Sequence, residues 1–297
     1  MVKMDGILNI YKPKGITSHD VVNKVRRIFN TKQVGHTGTL DPNAEGVLVV
    51  CLNQATKLVQ FLESDVKKYR CELILGISTD TYDITGNIVD SDKQLVLSEE
   101  EVIATIKKFV GKQKQLPPIY SSIKVNGKKL YEYARKNQEV TIESRDIEIF
   151  EIDNFTSLIK NEYYSISFDV LVSKGTYIRS LCFDIGKALG VPSTMGDLLR
   201  IQSGVFTLNN AYKLEDIEKG NYQLISMIDA ISNIEKIDII NNEELKFKVE
   251  NGMKISLKYF NKIHSQIVFH ENNKIVAVYE YHEEDIKRCY KAVRVWK

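Results

Sequence analysis

The segment Gly35-His36-Thr37-Gly38-Thr39-Leu40-Asp41-Pro42-Asn43-Ala44-Glu45-Gly46 restricts this chain more than any other. Three glycines and one proline in twelve positions break any continuous helix or strand. They read as irregular backbone between elements, where a rigid scaffold commonly presents reactive groups. Asp41 stands on the tight turn, just ahead of Pro42. Asp before Pro is by itself a common turn initiator, so the pair alone carries only structural meaning.

Around this segment, helical and extended patterns follow one another without regular strand–helix repetition. Ile7-Leu8-Asn9-Ile10 is extended, and Thr17 with Asp20 forms a capping-box pattern ahead of Val21, Val22, Val25, Ile28 and Phe29. Ser98 with Glu101 opens a second helix whose apolar face is Val102, Ile103, Ile106, Phe109 and Val110. Ile166, Phe168, Val170 and Val172 alternate with more polar neighbours, which predicts a strand running into Lys174-Gly175-Thr176-Tyr177-Ile178-Arg179. A helix should follow from about Ser180 to Leu189, stopped by Gly190. This pattern predicts an α+β fold with a mixed, largely antiparallel sheet. The polar stretch at Asn233 and the pair Asn241-Asn242 suggest a linker, and short strands follow at 267–269 and 275–279 around Asn272-Asn273. The expected division is a large domain over 1–232 and a small β-rich one over 233–297.

The longest apolar run, Val47-Leu48-Val49-Val50-Cys51-Leu52, is far short of the ~20 residues that span a bilayer. The start of the chain lacks the apolar core of a secretory signal. Four cysteines stand far apart with no C-x-x-C pair, so neither a zinc site nor a disulfide framework is expected. Reduced thiols in the cytoplasm are the default. No P-loop, G-x-G-x-x-G after a strand, or H-E-x-x-H occurs, so no cofactor or metal is expected.

Net charge is only +2, but its distribution is uneven. Between Lys107 and Lys136, nine basic side chains face one acid, Glu132, and Tyr120, Tyr131 and Tyr133 lie among them. Basic residues interleaved with aromatics suit a nucleic-acid backbone with unstacked bases, although a run of this kind is also common on a solvated face.

Taken together, the motifs resemble the TruB family of tRNA pseudouridine synthases. The Gly35 to Gly46 run is similar at every fixed position to the family's G-H-T-G-T-L-D-P-x-A-x-G signature. Lys12-Pro13-Lys14-Gly15 with Thr17-Ser18 resembles its N-terminal element, and Lys68-Tyr69-Arg70 with Thr79-Asp80-Thr81-Tyr82-Asp83 its second motif. Pro117 to Lys124 with Gly127 to Arg135 resembles its RNA-gripping insertion, placed at about 112–140. Lys174 to Arg179 and Leu198 to Phe206 resemble its last two motifs. Leu199-Arg200 and Gln202 depart from a pattern that often carries two adjacent arginines and another basic residue.

The resemblance implies a curved mixed sheet with the active cleft across it, a PUA-like C-terminal module over 233–297, and a cofactor-free isomerase. The C1′–N1 bond of uridine 55 in the tRNA T loop would break, the flipped uracil would turn, and C1′ would join C5. Asp41 is implied as the catalytic carboxylate and Arg179 as its guanidinium partner, holding it by a fork. Tyr69 is implied as the stacking ring, with Tyr177 in support, Leu198 as an apolar wall, and His36 prying the target loop open. Lys14, Lys124, Lys128, Lys129, Arg135 and Arg200 are carried as RNA contacts. The expected partner is tRNA alone, bound by a monomer with no protein partner and no membrane. A guide-RNA-dependent synthase acting on rRNA, or a non-catalytic RNA-binding or RNA-folding protein, are the alternatives.

Overall fold

The computed structural model describes residues 4–62, 66–136, 138–284 and 287–296; Asn137, inside the expected insertion, lies outside them. Glu45–Leu52 is the strand around which the large sheet is layered. Side chains alternate between the two faces of a strand. Val47, Val49 and Cys51 therefore enter one apolar cluster, while Leu48, Val50 and Leu52 enter another. Gly6–Lys12 pairs with this strand antiparallel, Gly6 against Leu52 and Lys12 against Gly46.

From there the sheet runs Gly6–Lys12, Glu45–Leu52, Ser193–Ser203, Val66–Leu75, Tyr164–Ser173, Arg145–Asp153 and Gly111–Gln115. The pairing between Glu45–Leu52 and Ser193–Ser203 is parallel, and the others on this path are antiparallel. The sheet is thus mixed and largely antiparallel, as expected for the α+β class. Register shifts at Met195/Leu198, Arg200/Gln202 and Ile149/Glu151 raise the local twist and bend the strands.

Ser18–Ile28 lays Val21, Val22 and Val25 on the Leu48 face, and Thr17 and Asp20 complete both halves of the capping box. Glu99–Lys107 is capped by Ser98, which accepts the Glu101 N–H. That helix ends before Phe109, and Val110 is 47% exposed, so the expected apolar face is shortened. Gly111, at φ 117°, turns the chain there into the edge strand. Ile178–Leu189 starts two residues earlier than its periodicity suggests and stops at Gly190 in the left-handed conformation.

Gly111–Gln115 belongs to the sheet and pairs with Arg145–Asp153, so the insertion proper begins at Leu116 rather than residue 112. Within it, Lys124–Val125 and Lys128–Lys129 form a hairpin about Asn126-Gly127, both at positive φ, followed by the short helix Leu130–Ala134.

A second sheet orders Glu235–Asp238, Gln266–Glu271, Lys274–Glu284, Lys287–Val295 and Ile255–Ser256. The stretch expected as a linker is partly a strand, because Ile234 and Ile239 are buried and anchor both ends of Glu235–Asp238 beside Gln266–Glu271. Val268, Ile275 and Val278 of this sheet share an apolar cluster with Ile7, Val47 and Leu58.

Candidate active site

Asp41 lies in the loop between the strands Val34–His36 and Glu45–Leu52, and three buried side chains hold that loop in place. Ser18, the first residue of its helix, accepts the Leu40 N–H at 2.9 Å and donates to the Leu40 carbonyl at 3.1 Å. Lys12, wholly buried, donates to the carbonyls of Pro13, Ile16 and Pro42 at 2.9, 2.7 and 3.2 Å. Burial pushes its ammonium down to about 8, with the Asp41 charge acting in the opposite direction. Arg200 donates from Nε to Val47 O at 2.6 Å, from Nη2 to Gly38 O at 3.2 Å and from Nη1 to Thr39 O at 3.4 Å.

Arg200, expected as an RNA contact, is therefore only 2% exposed and acts as an internal clamp. The strand register explains why, since it sets Arg200 against Gly46 on one side and Tyr69 on the other. Gly46 has φ 106°, and a Cβ there would lie 2.3 Å from the Arg200 carbonyl. Only glycine lets the two backbones approach so closely.

The Asp41 carboxylate faces a pocket of about 290 Å³ whose lining includes Tyr69, Tyr177, Arg179, Leu198 and Ser121. Arg179 Nε stands 3.0 Å from Asp41 Oδ2; the arginine side chain is 8% exposed and the aspartate 41%. The geometry differs from the expected fork. The two terminal nitrogens donate instead to the carbonyls of Thr81 at 3.3 Å and Tyr120 at 3.0 Å. Arg179 is thus aimed by backbone on two sides while Nε meets the carboxylate. A guanidinium so fixed holds its partner in one orientation.

Tyr69, on Val66–Leu75, is 8% exposed and lies with Leu198 at the top of the core cluster behind the pocket. Tyr177, the residue before the Ile178–Leu189 helix, has its phenol pushed up chiefly by burial, with Ser121 and the charges of Arg145 and Arg179 opposing. His36 is not among the pocket residues; its Nδ1 accepts the Gly38 N–H at 3.2 Å, bracing the loop from its start.

The expected RNA contacts are scattered. Lys14 is on the surface and pairs with Asp197 at 2.6 Å. Lys124 and Lys128 are exposed on the insertion hairpin. Lys128 lies over the Tyr133 ring, and Lys129 and Arg135 lie over Tyr131. Lys12 and Ser18 stand within the N-terminal motif, yet the sequence alone assigns them no role. Gln115, whose side chain grips Tyr177, has no sequence signal at all.

Residues 26–178 match the TruB family pseudouridylate synthase N-terminal domain, and residues 179–230 the tRNA pseudouridylate synthase B C-terminal domain. A tRNA pseudouridine synthase B of Oceanobacillus iheyensis is 45% identical over 298 residues, covering 96% of each chain. One from Clostridium perfringens is 45% identical over 279 residues, 93% of this chain and 92% of the relative. Among solved structures, a chain of a Cbf5-Nop10-Gar1 complex aligns with a TM-score of 0.72 at 27% identity, over 98% of this chain and 84% of that one. A chain of an H/ACA RNP bound to a substrate RNA containing 2′-deoxyuridine aligns at 0.69 and 25%, with the same coverage.

Proposed function

The chain belongs to the TruB family of pseudouridylate synthases, and from that premise we propose that it isomerises uridine 55 in the T loop of tRNA, with Asp41 as the catalytic carboxylate. It is an isomerase of uridine to pseudouridine acting on tRNA, as its relatives at about 45% identity are named. The single observation that carries the assignment to Asp41 is the ion pair at 3.0 Å with Arg179, at the mouth of a pocket walled by Tyr69 and Leu198.

The pocket lies near the lower end of the roughly 300–1,000 Å³ usual for ligand sites, a size for one nucleoside rather than for a helix. Uridine must therefore leave its stack, which costs a few kcal/mol. Binding along the basic insertion offsets that cost. Once the base is inside, Tyr69 and Leu198 flank it and Asp41 reaches the ribose or the ring as a fixed anion. The C1′–N1 bond breaks, C1′–C5 forms, the C5 proton leaves and N1 ends protonated. Atoms are conserved, so neither oxidant nor hydrolytic water enters.

The second sheet is read as a PUA-like module gripping the tRNA outside the T loop. A monomer working without a guide RNA or protein partner is the reading that the higher identity to the tRNA enzymes supports over the 25–27% to chains in H/ACA assemblies. Four buried, unpaired cysteines fit a reducing cytoplasm. The test is single-turnover conversion of an unmodified tRNA transcript by the purified chain, with pseudouridine mapped by position, beside Asp41→Asn. Product at position 55 from the parent, and none from a variant that still binds tRNA, is expected. Turnover by the variant refutes Asp41. Product only with an added guide RNA restores the guide-dependent reading, and binding without product restores the non-catalytic one.

A further inference from the structure

With Asp41 and Arg179 taken as the reacting pair of that proposed function, we infer that Gln115 is a positioning residue that locks the segment from Tyr177 to Arg179 against the root of the insertion, and so sets the aim of Arg179 from outside the pocket.

Gln115 is the last residue of the edge strand Gly111–Gln115 and is 3% exposed. Its amide engages both backbone groups of one residue. Oε1 accepts the Tyr177 N–H at 2.8 Å, and Nε2 donates to the Tyr177 carbonyl at 3.0 Å. A primary amide used this way reproduces the paired bonds of a neighbouring strand where none runs. Tyr177 needs such a partner. It precedes the helix, and no side chain caps that helix at Tyr177. The first N–H groups of a helix have no intrahelical acceptor, so an uncapped start frays readily.

The neighbouring hydrogen bonds run in the same direction. Ser180 Oγ donates to the Leu116 carbonyl at 2.8 Å, one residue beyond Gln115. Arg179 Nη2 donates to the Tyr120 carbonyl at 3.0 Å, and Tyr131 N donates to Ser121 O at 3.1 Å, joining that root to the basic hairpin and helix. Tyr177, Arg179 and Ser180 are therefore all held by residues 115–120. Arg179 has one nitrogen left for Asp41, and the direction of that nitrogen depends on where the Tyr120 carbonyl and the helix start lie. Gln115 is not itself among the residues that line the pocket, and it reaches the site through the backbone of Tyr177. A tilt of the helix start by a fraction of an ångström would still misalign Nε, and displacements on the 1 Å scale in such constellations cost on the order of 100-fold in rate.

Gln115→Met keeps length and apolar bulk but removes both bonds. Gln115→Glu keeps an acceptor for the Tyr177 N–H while placing an oxygen against the Tyr177 carbonyl. Single-turnover rate at saturating tRNA, tRNA affinity, melting temperature and amide hydrogen exchange at Tyr177 to Arg179 are read for both, with Ser180→Ala as a milder break of the adjacent tie. The expected result is a rate at saturation about 10-fold or more below the parent for Gln115→Met, affinity within about threefold, and faster exchange confined to the helix start. On an Arg179→Lys background the same substitution should cost much less, since both act through one ion pair. A merely structural glutamine would lower the melting temperature and leave the rate of the folded enzyme unchanged, and that outcome overturns the inference. If Gln115→Met does not fold, Gln115→Glu and Ser180→Ala decide by the same readouts. A parent that binds tRNA but makes no pseudouridine would refute the functional reading instead, and exchange at Tyr177 would still report whether Gln115 holds the helix start.

Discussion

Replacing Arg200 with Met separates an internal clamp from an RNA-binding side chain. The substitution strips donors from the carbonyls of Val47, Thr39 and Gly38. An unsatisfied buried acceptor costs about 1–3 kcal/mol. The Val47 bond is fully buried and keeps that cost, whereas the other two are partly buried and can recruit water. Removing a buried charge offsets part of this, so a net destabilisation of about 1–3 kcal/mol follows. Over 297 residues the unfolding entropy is about 0.6 kcal/mol per kelvin at the midpoint, which converts this to a melting temperature about 2–5 K lower. Calorimetry measures that shift. Titration of tRNA binding against salt, well below the transition, tests the other half. A side chain that touches no phosphate leaves the slope of log affinity on log salt unchanged, whereas each phosphate no longer neutralised would flatten it by about 0.7–0.9. A melting point within about 1 K of the parent together with a flatter slope would refute the clamp and return Arg200 to the RNA surface.

Arg179→Lys keeps a cation but cannot span Asp41, Thr81 O and Tyr120 O together, so single-turnover rates should fall by about 100-fold or more with tRNA affinity retained; near-parent rates would show that orientation is not what Arg179 supplies. Lys12 has a folded-state pKa lowered from 10.5 to about 8, so the unfolded chain binds the extra proton between those values and stability gains with rising pH in that window. The melting temperature of the parent should climb relative to Lys12→Met from about pH 8 to 10.5, and a constant difference would contradict the buried charge. Neutralising Lys124, Lys128, Lys129 and Arg135 together should weaken tRNA binding and flatten its salt slope by about 0.7–0.9 for every phosphate these side chains neutralise, while chemistry at saturating tRNA suffers much less; an unchanged slope marks the insertion as a solvated face.

Local signals were legible where they are chemically narrow. Thr17 and Asp20 spell a helix start because only a few residue types cap one, and Gly190 spells a stop because a left-handed residue without a Cβ is unstrained. Asp41 was singled out by the resemblance of the whole Gly35 to Gly46 run, because an Asp-Pro turn by itself carries only structural meaning. Long-range partners were not legible. That Arg200 lies under the loop depends on a strand register against Gly46 and Tyr69, which no local pattern encodes. The use of Arg179 Nε alone toward Asp41 depends on where the carbonyls of Thr81 and Tyr120 fall, 98 and 59 positions away. Glu235–Asp238 read as linker because three of its four residues are charged, and what makes it a strand is the parallel neighbour Gln266–Glu271.

The layer presented by Val47, Val49 and Cys51 is closed by residues synthesised much later, among them Ile228, Val268, Val278 and Trp296. The Trp296 indole N–H donates to the Gln54 carbonyl across 242 positions of sequence. At about 5–20 residues per second, a ribosome needs on the order of 10–50 s to span that gap. Until those residues arrive this face is covered only in part, by neighbours such as Ala55, Leu58 and Leu62, while the other can already be covered by the Ser18–Ile28 helix. A message truncated shortly before the second sheet would release a fragment whose Asp41 loop is complete and whose back stays partly uncovered and adhesive.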